Sequence, residues 1–195
     1  MSFLGTTEFD ETFVLDCCKG APVPESAGCK ARRHGAKAAK RGISNEYVSI
    51  CTGIERGGKV VAQSVNRAKP SGEELKKVFC GHIAKDCLSL TDGLRSYHVL
   101  ETLAECTVVD VNHEGCRGMF HLNTVNSLHS YIKGMYCQYR GVATKYINRY
   151  NALFSIAYRN AKNLKNEFLA TLCKAEGNGY WHRVNDIHSY QLAII

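Results

Sequence analysis

Apolar and polar positions alternate along residues 7–16, T-E-F-D-E-T-F-V-L-D. Phe9, Phe13 and Leu15 share one parity, and Asp10, Thr12, Val14 and Asp16 the other, a period of two that predicts a strand. Residues 17–42 carry Gly20, Pro22, Pro24, Gly28, Gly35 and Gly42 and read as a loop. A second strand is predicted over 47–54 and a third over 59–65. Glu55-Arg56-Gly57-Gly58 lies between them as a hairpin turn, because adjacent glycines tolerate positive φ. Pro70-Ser71-Gly72-Glu73-Glu74 opens a helix, with Ser71 and Glu74 at capping-box spacing. Its apolar stripe is Leu75, Val78, Phe79, His82 and Ile83. A short strand over 87–90 ends at Thr91-Asp92-Gly93; a helix over 94–103 and a strand over 106–111 follow. The order β-β-β-α-β-α-β predicts a mixed sheet flanked by helices.

From Asn123 the period becomes helical. Val125, Leu128, Ile132 and Met135 form an apolar stripe, and Asn126, Ser130, Lys133 and Cys137 a separate one. From Ala143, Ile147, Tyr150, Phe154, Ala157, Ala161, Leu164 and Phe168 recur every three to four residues. They predict a long helix, or two stacked ones, ending near Gly177. One domain is expected over 1–175, with a tail over 176–195.

Composition narrows the class. The 195 residues are 45% apolar and 22% charged, as in a soluble globular protein. No apolar run approaches 18 residues, and the N-terminus lacks the basic start and apolar stretch of a secretory signal. The ten cysteines therefore read as reduced thiols of a cytoplasmic protein. Cys17, Cys18, Cys29 and His34 match no standard zinc-ligand spacing.

The net charge of +7 is concentrated. Lys30, Arg32, Arg33, Lys37, Lys40 and Arg41 fall within 30–41 without an acid. Lys133, Arg140, Lys145, Arg149, Arg159, Lys162 and Lys165 fall within 133–165, again without one, so the rest of the chain is net acidic. Two basic segments on an acidic body point to a polyanion such as nucleic acid; two merely solvated basic faces are the alternative.

Two acids stand where a mixed sheet places chemistry. Asp10 lies within the first strand, opposite Phe9 and Phe13, and Asp92 ends the fourth. Should those strands be neighbours, the two carboxylates converge and suit a hard cation such as Mg²⁺. Asn126 and Lys133, seven residues apart, share a helix face about 10.5 Å apart along the axis. An amide oxygen can ligate a metal there and a lysine can meet a phosphate; an ordinary polar helix face would look the same. Asp16 shares the parity of Asp10 but lies about 20 Å along the strand, and Glu11 points to the other face.

The strings F-D-E-T-F (9–13), S-L-T-D-G-L-R-S-Y (89–97) and H-L-N-T-V-N-S-L-H-S-Y-I-K (121–133) resemble the catalytic blocks of ISXO-type insertion-sequence transposases. K-R-G-I-S-N-E-Y-V (40–48) and R-G-V-A-T-K-Y-I-N-R-Y (140–150) resemble that family's connecting segments. The blocks run in register over about 7–160. The resemblance implies a DDE recombinase with a ribonuclease-H-like fold, a five-stranded mixed sheet flanked by helices with a C-terminal helical extension. It implies Asp10 and Asp92 as catalytic carboxylates and metal ligands. The third position, Glu in most DDE enzymes, is Asn126, 34 residues after Asp92. With Lys133 it matches a D-D-N-K branch of the family. His121 and Asn123 match the H-x-N before the third position, where they cap the helix or orient ligands.

The resemblance further implies Mg²⁺ or Mn²⁺, as two ions, and DNA as partner: insertion-sequence ends and target, handled by a homo-oligomer with no membrane involved. Expected DNA contacts are Lys30, Arg32, Arg33, Lys37, Lys40, Arg41, Arg140, Lys145 and Arg149, with Tyr136, Tyr139 and Tyr146 either stacking near DNA or packing in the core. Because Asp10 comes so early, the chain reads as a catalytic core without a DNA-recognition module. Two other readings are a truncated copy that binds DNA without catalysis and a ribonuclease-H-like nuclease that does not transpose.

Overall fold

The computed structural model describes residues 2–20, 22, 37–114 and 118–159. Five strands form one sheet in the order β3-β2-β1-β4-β5: β1 (Thr6–Leu15), β2 (Tyr47–Glu55), β3 (Val60–Arg67), β4 (Leu88–Thr91) and β5 (Thr107–Asp110). β1 pairs antiparallel with β2 and parallel with β4; β3 is antiparallel to β2, and β5 parallel to β4. The sheet is mixed because β1–β3 are joined by reversals, whereas the chain returns to β4 and β5 through helical crossovers. This is the ribonuclease-H-like arrangement. The β2–β3 reversal falls at the predicted turn, where Gly58 takes φ +109° and donates its N–H to the Glu55 carbonyl at 2.8 Å.

Helices cover both faces. On one face α1 (Gly72–Phe79) and α2 (Val99–Ala104) bury Phe9, Cys51, Leu75, Val78, Phe79, Tyr97 and Leu100. The capping box at Ser71 and Glu74 forms as the sequence predicts. α1 stops at Phe79, short of His82 and Ile83, because Cys80 leaves helical geometry and Gly81 takes φ +75°. Ile83 still packs on this core and pairs with Phe3 as a parallel bridge. The helix expected over 94–103 is split. Leu94 is extended, a 3₁₀ turn spans Arg95–His98, and only then does α2 begin.

On the opposite face lie α4 (Asn123–Gln138) and α5 (Ile147–Arg159), after the single-turn α3 (Val111–Glu114). Val125, Leu128, Ile132 and Phe154 bury against Ile54 and Val60, and Ile147 against Val48 and Ile50. The apolar stripe of α4 is the one its period predicts. The expected continuation of α5 towards Gly177, and the tail over 176–195, lie outside the described residues. No described helix is long and apolar enough to cross a membrane.

Candidate active site

The β1–β4 pairing brings the two expected carboxylates together. Glu8 is in register with Leu90, so Asp10 and Asp92 each stand two residues further along parallel neighbours. Asp92 closes a turn by accepting the Leu94 N–H on Oδ1 at 3.0 Å. Gly93 takes φ +81°, and the Asp110 carboxylate lies where a Cβ on Gly93 would be. Only glycine relieves both constraints. Asp110, at the end of β5, also accepts the Asn112 and His113 N–H groups, and Asn112 Nδ2 donates to the Asp92 carbonyl at 2.6 Å. The Asp92 loop is thus tied to the end of β5.

Asp10 is largely buried, and its Oδ1 accepts the N–H of Glu11 at 2.8 Å. Burial pushes its carboxyl up to about 7, and the charges of Glu11 and Asp92 push the same way, against Lys133 and the Glu11 N–H. The structure therefore brings Asp10, Asp92 and Lys133 into one electrostatic neighbourhood. Glu11 points to the other face, as predicted, and accepts the Tyr97 hydroxyl at 3.1 Å. Burial, and then Asp92, raise its carboxyl above the usual range. Asp16 is used elsewhere: it is buried, pairs with Arg67 at 2.6 Å and accepts the Thr144 hydroxyl.

α4 crosses the face of β1 that carries Asp10. His129, buried on α4, places Nδ1 3.6 Å from Asp10 Oδ2 and Nε2 2.6 Å from the Thr52 hydroxyl. Burial lowers its imidazole to about 4, helped by Lys133, so the ring is neutral near pH 7. Asn126 lies three residues before His129 and Lys133 four after, so all three share a helix face; Asn126 and Lys133 are exposed. His129 and Thr52 were not singled out in the sequence. The signal lay in the i, i+3, i+7 placement of His129 between Asn126 and Lys133.

Glu8 fixes the start of α4. Its buried carboxylate accepts the Val125 N–H and the Thr124 hydroxyl, both at 2.9 Å, and pairs with Arg56 at 2.7 Å. Arg56 donates in turn to the His121 carbonyl and to Nδ1 of its ring. The His121 ring also accepts the Asn123 N–H at 3.4 Å. Leu122, the N-cap residue, supplies no side-chain cap, so the remote Glu8 does. Two residues from Asp10 on the same strand face, Glu8 holds α4 over Asp10.

The donor set fits a divalent cation in kind: two neighbouring carboxylates, Asp10 with its proton affinity raised first by burial and then by the nearby acids, and an imidazole nitrogen facing one of them. Among the described residues no three His, Cys, Asp or Glu side chains close around one point.

Of the expected DNA contacts, Lys37, Lys40, Arg41, Arg140 and Lys145 are exposed and Arg149 is half-buried. Lys30, Arg32 and Arg33 lie outside the described residues, as do Cys29 and His34. Lys145 and Arg149 sit over the Tyr146 ring at 4.9 and 5.6 Å. Tyr136 is a packing residue: its ring meets Phe154 edge-on and its hydroxyl donates to Asn151 at 2.7 Å. Tyr139, partly exposed, packs on Tyr150 and Phe154.

No curated protein and no solved structure matches the chain. The model of the ISXO2-like transposase domain matches residues 3–160, from before β1 to the end of the described α5. That span takes in Asp10, Asp92 and the whole of α4, and the chain belongs to the ISXO2-like transposase family.

Proposed function

We propose that this domain cleaves and joins DNA strands at insertion-sequence ends, with Asp10 and Asp92 as its metal-binding carboxylates. The observation that carries the reading is the placing of Asp10, mid-way along β1, beside Asp92 at the end of the parallel neighbour β4, under the helix that bears Asn126 and Lys133. Bound there, Mg²⁺ or Mn²⁺, as one ion or two, supplies neutralisation of phosphate charge and activation of the attacking oxygen. Asp10 and Asp92 hold the negative charge that recruits the cation. Asn126 offers a neutral amide oxygen in place of a third carboxylate. Lys133 presents an ammonium to the scissile phosphate, and the exposed lysines and arginines hold the flanking backbone. In joining, a 3′-hydroxyl of the element's end attacks a target phosphodiester. One P–O bond forms and one breaks, and the proton lost by the attacking hydroxyl passes through solvent to the leaving target 3′-oxygen. Paired ends call for more than one copy of the chain.

A second reading is a copy that binds DNA without catalysis. Asn126 favours it, because an amide removes one negative charge from the site. Pre-cleaved end DNA incubated with the protein and Mg²⁺ or Mn²⁺ decides between them. Joined product that disappears in Asp10→Asn and Asp92→Asn is expected. Salt-sensitive binding with no joining by the wild-type chain would establish the second reading instead.

A further inference from the structure

The hydrogen bonds around Thr52 determine which nitrogen of His129 carries the proton. The Thr52 hydroxyl lies 2.7 Å from the Asp10 carbonyl oxygen and 2.6 Å from His129 Nε2. A hydroxyl has one proton, and a carbonyl oxygen only accepts. Thr52 therefore donates to Asp10 and accepts from Nε2–H. In a neutral ring that leaves a bare lone pair on Nδ1. Nδ1 faces Asp10 Oδ2 at 3.6 Å, beyond hydrogen-bond range. The other carboxylate oxygen is already engaged by the Glu11 N–H. When Asp10 is ionised, two acceptors thus face each other, one on the buried His129 and one on the partly buried Asp10, with Glu11 and Asp92 adding negative charge and Lys133 positive. A cation satisfies both. Metal bonds of about 2.1 Å to oxygen and to nitrogen together exceed 3.6 Å, so one ion can bond the two atoms. The N–H donated to Thr52 is the outer-shell contact that orients a metal-binding imidazole.

We propose that His129 Nδ1 and Asp10 Oδ2 are two ligands of one divalent ion, giving this site an imidazole nitrogen beside its oxygens. The inference rests on Asp10 being a metal ligand in the proposed function. It also sets a preference: imidazole suits transition-type ions, so Mn²⁺ binds here in preference to Mg²⁺.

Pulsed EPR on the full chain loaded with Mn²⁺ tests this independently of activity. The expected spectrum shows ¹⁴N modulation from a directly bound imidazole. His129→Phe is expected to lose that modulation and to weaken Mn²⁺ binding tenfold or more, with circular dichroism reporting the fold. Thr52→Val keeps the nitrogen but frees its tautomer, and is expected to weaken Mn²⁺ by about 10- to 100-fold while modulation persists at saturation. Mn²⁺ binding that depends on Asp10 yet shows no ¹⁴N modulation, or modulation unchanged in His129→Phe, overturns the proposal and leaves the functional reading standing. Mn²⁺ binding indifferent to Asp10→Asn and Asp92→Asn overturns both.

Discussion

Glu8 Oε2 accepts the backbone N–H of Val125 at 2.9 Å, so a carboxylate on the first strand caps a helix that begins more than a hundred residues later. The same carboxylate is fully buried and pairs with Arg56. Removing it takes the carboxylate partner from Arg56, which keeps only its bonds to His121, and leaves two donors at the start of α4 without an acceptor. Glu8→Ala should therefore cost about 3–5 kcal/mol, the range for one partner removed from a buried pair. Glu8→Gln keeps an acceptor for Val125 and should cost less. Urea denaturation at pH 7 measures both. A loss below about 1 kcal/mol for Glu8→Ala would show that α4 is held by its apolar stripe alone.

The Asp92 loop depends on Gly93. A side chain there meets φ +81° and the Asp110 carboxylate together. Left-handed backbone costs a non-glycine residue about 1–2 kcal/mol, and overpacking about 1–3 more. Gly93→Ala should thus lose about 2–5 kcal/mol. Asp110→Ala removes the clash but not the backbone strain, so the double variant should recover part of the loss. Strictly additive losses in that double-mutant cycle would exclude the contact.

Local chemistry made much of this fold readable in the sequence. The Ser71–Glu74 capping box, the glycine turn at 57–58 and the parity of β1 each depend on neighbours within a few residues, and each forms as the pattern implies. That Asp10 and Asp92 would lie near each other was readable from a strand parity and a Gly turn, once their strands proved to be neighbours. Glu8, Thr52 and His129 were not. Glu8 reaches Val125, and Thr52 reaches His129, across contacts that tertiary packing alone creates. The short ends of α1 and α2 had a similar cause. Backbone at Cys80–Gly81 and at Gly93–Leu94 is set by loop geometry, not by the apolar period.

DNA affinity should fall steeply with salt. If the basic segments neutralise six phosphates, log K against log salt should have a slope of about −5 on duplex DNA. Lys145 and Arg149, stacked over Tyr146, form one defined part of that surface. The pair Lys145→Gln and Arg149→Gln should flatten the slope by about 2, provided each meets a phosphate. Fluorescence anisotropy over a salt series checks this. An unchanged slope would place the DNA path away from the start of α5.

Metal-free stability should reveal Asp10 and His129 as opposing titrations. Asp10 rises from 3.8 to about 7 on folding, chiefly by burial. The folded chain then holds a proton that the unfolded chain has released, so this contribution is full below pH 4 and is lost as pH rises to about 7. His129 falls from 6.5 to about 4, also chiefly by burial. Its contribution is full above pH 6.5 and is lost as pH falls towards 4. Each slope is at most about 1.4 kcal/mol per pH unit, and between pH 4 and 6.5 they oppose. Neither shift is caused by the other residue: Glu11 and Asp92 act on Asp10, and Lys133 on His129. Each should therefore survive removal of its neighbour. In EDTA, Asp10→Asn should gain stability from pH 4.5 to 6.5, and His129→Phe should lose it from pH 4.5 to 7. The wild-type profile should lie flatter than both. Urea midpoints at four pH values suffice, and parallel profiles for the three proteins would refute the burial of both groups. Saturating Mn²⁺ at pH 7.5 should then stabilise the wild type and leave Asp10→Asn nearly unmoved, because the cation favours the charged carboxylate that burial disfavours.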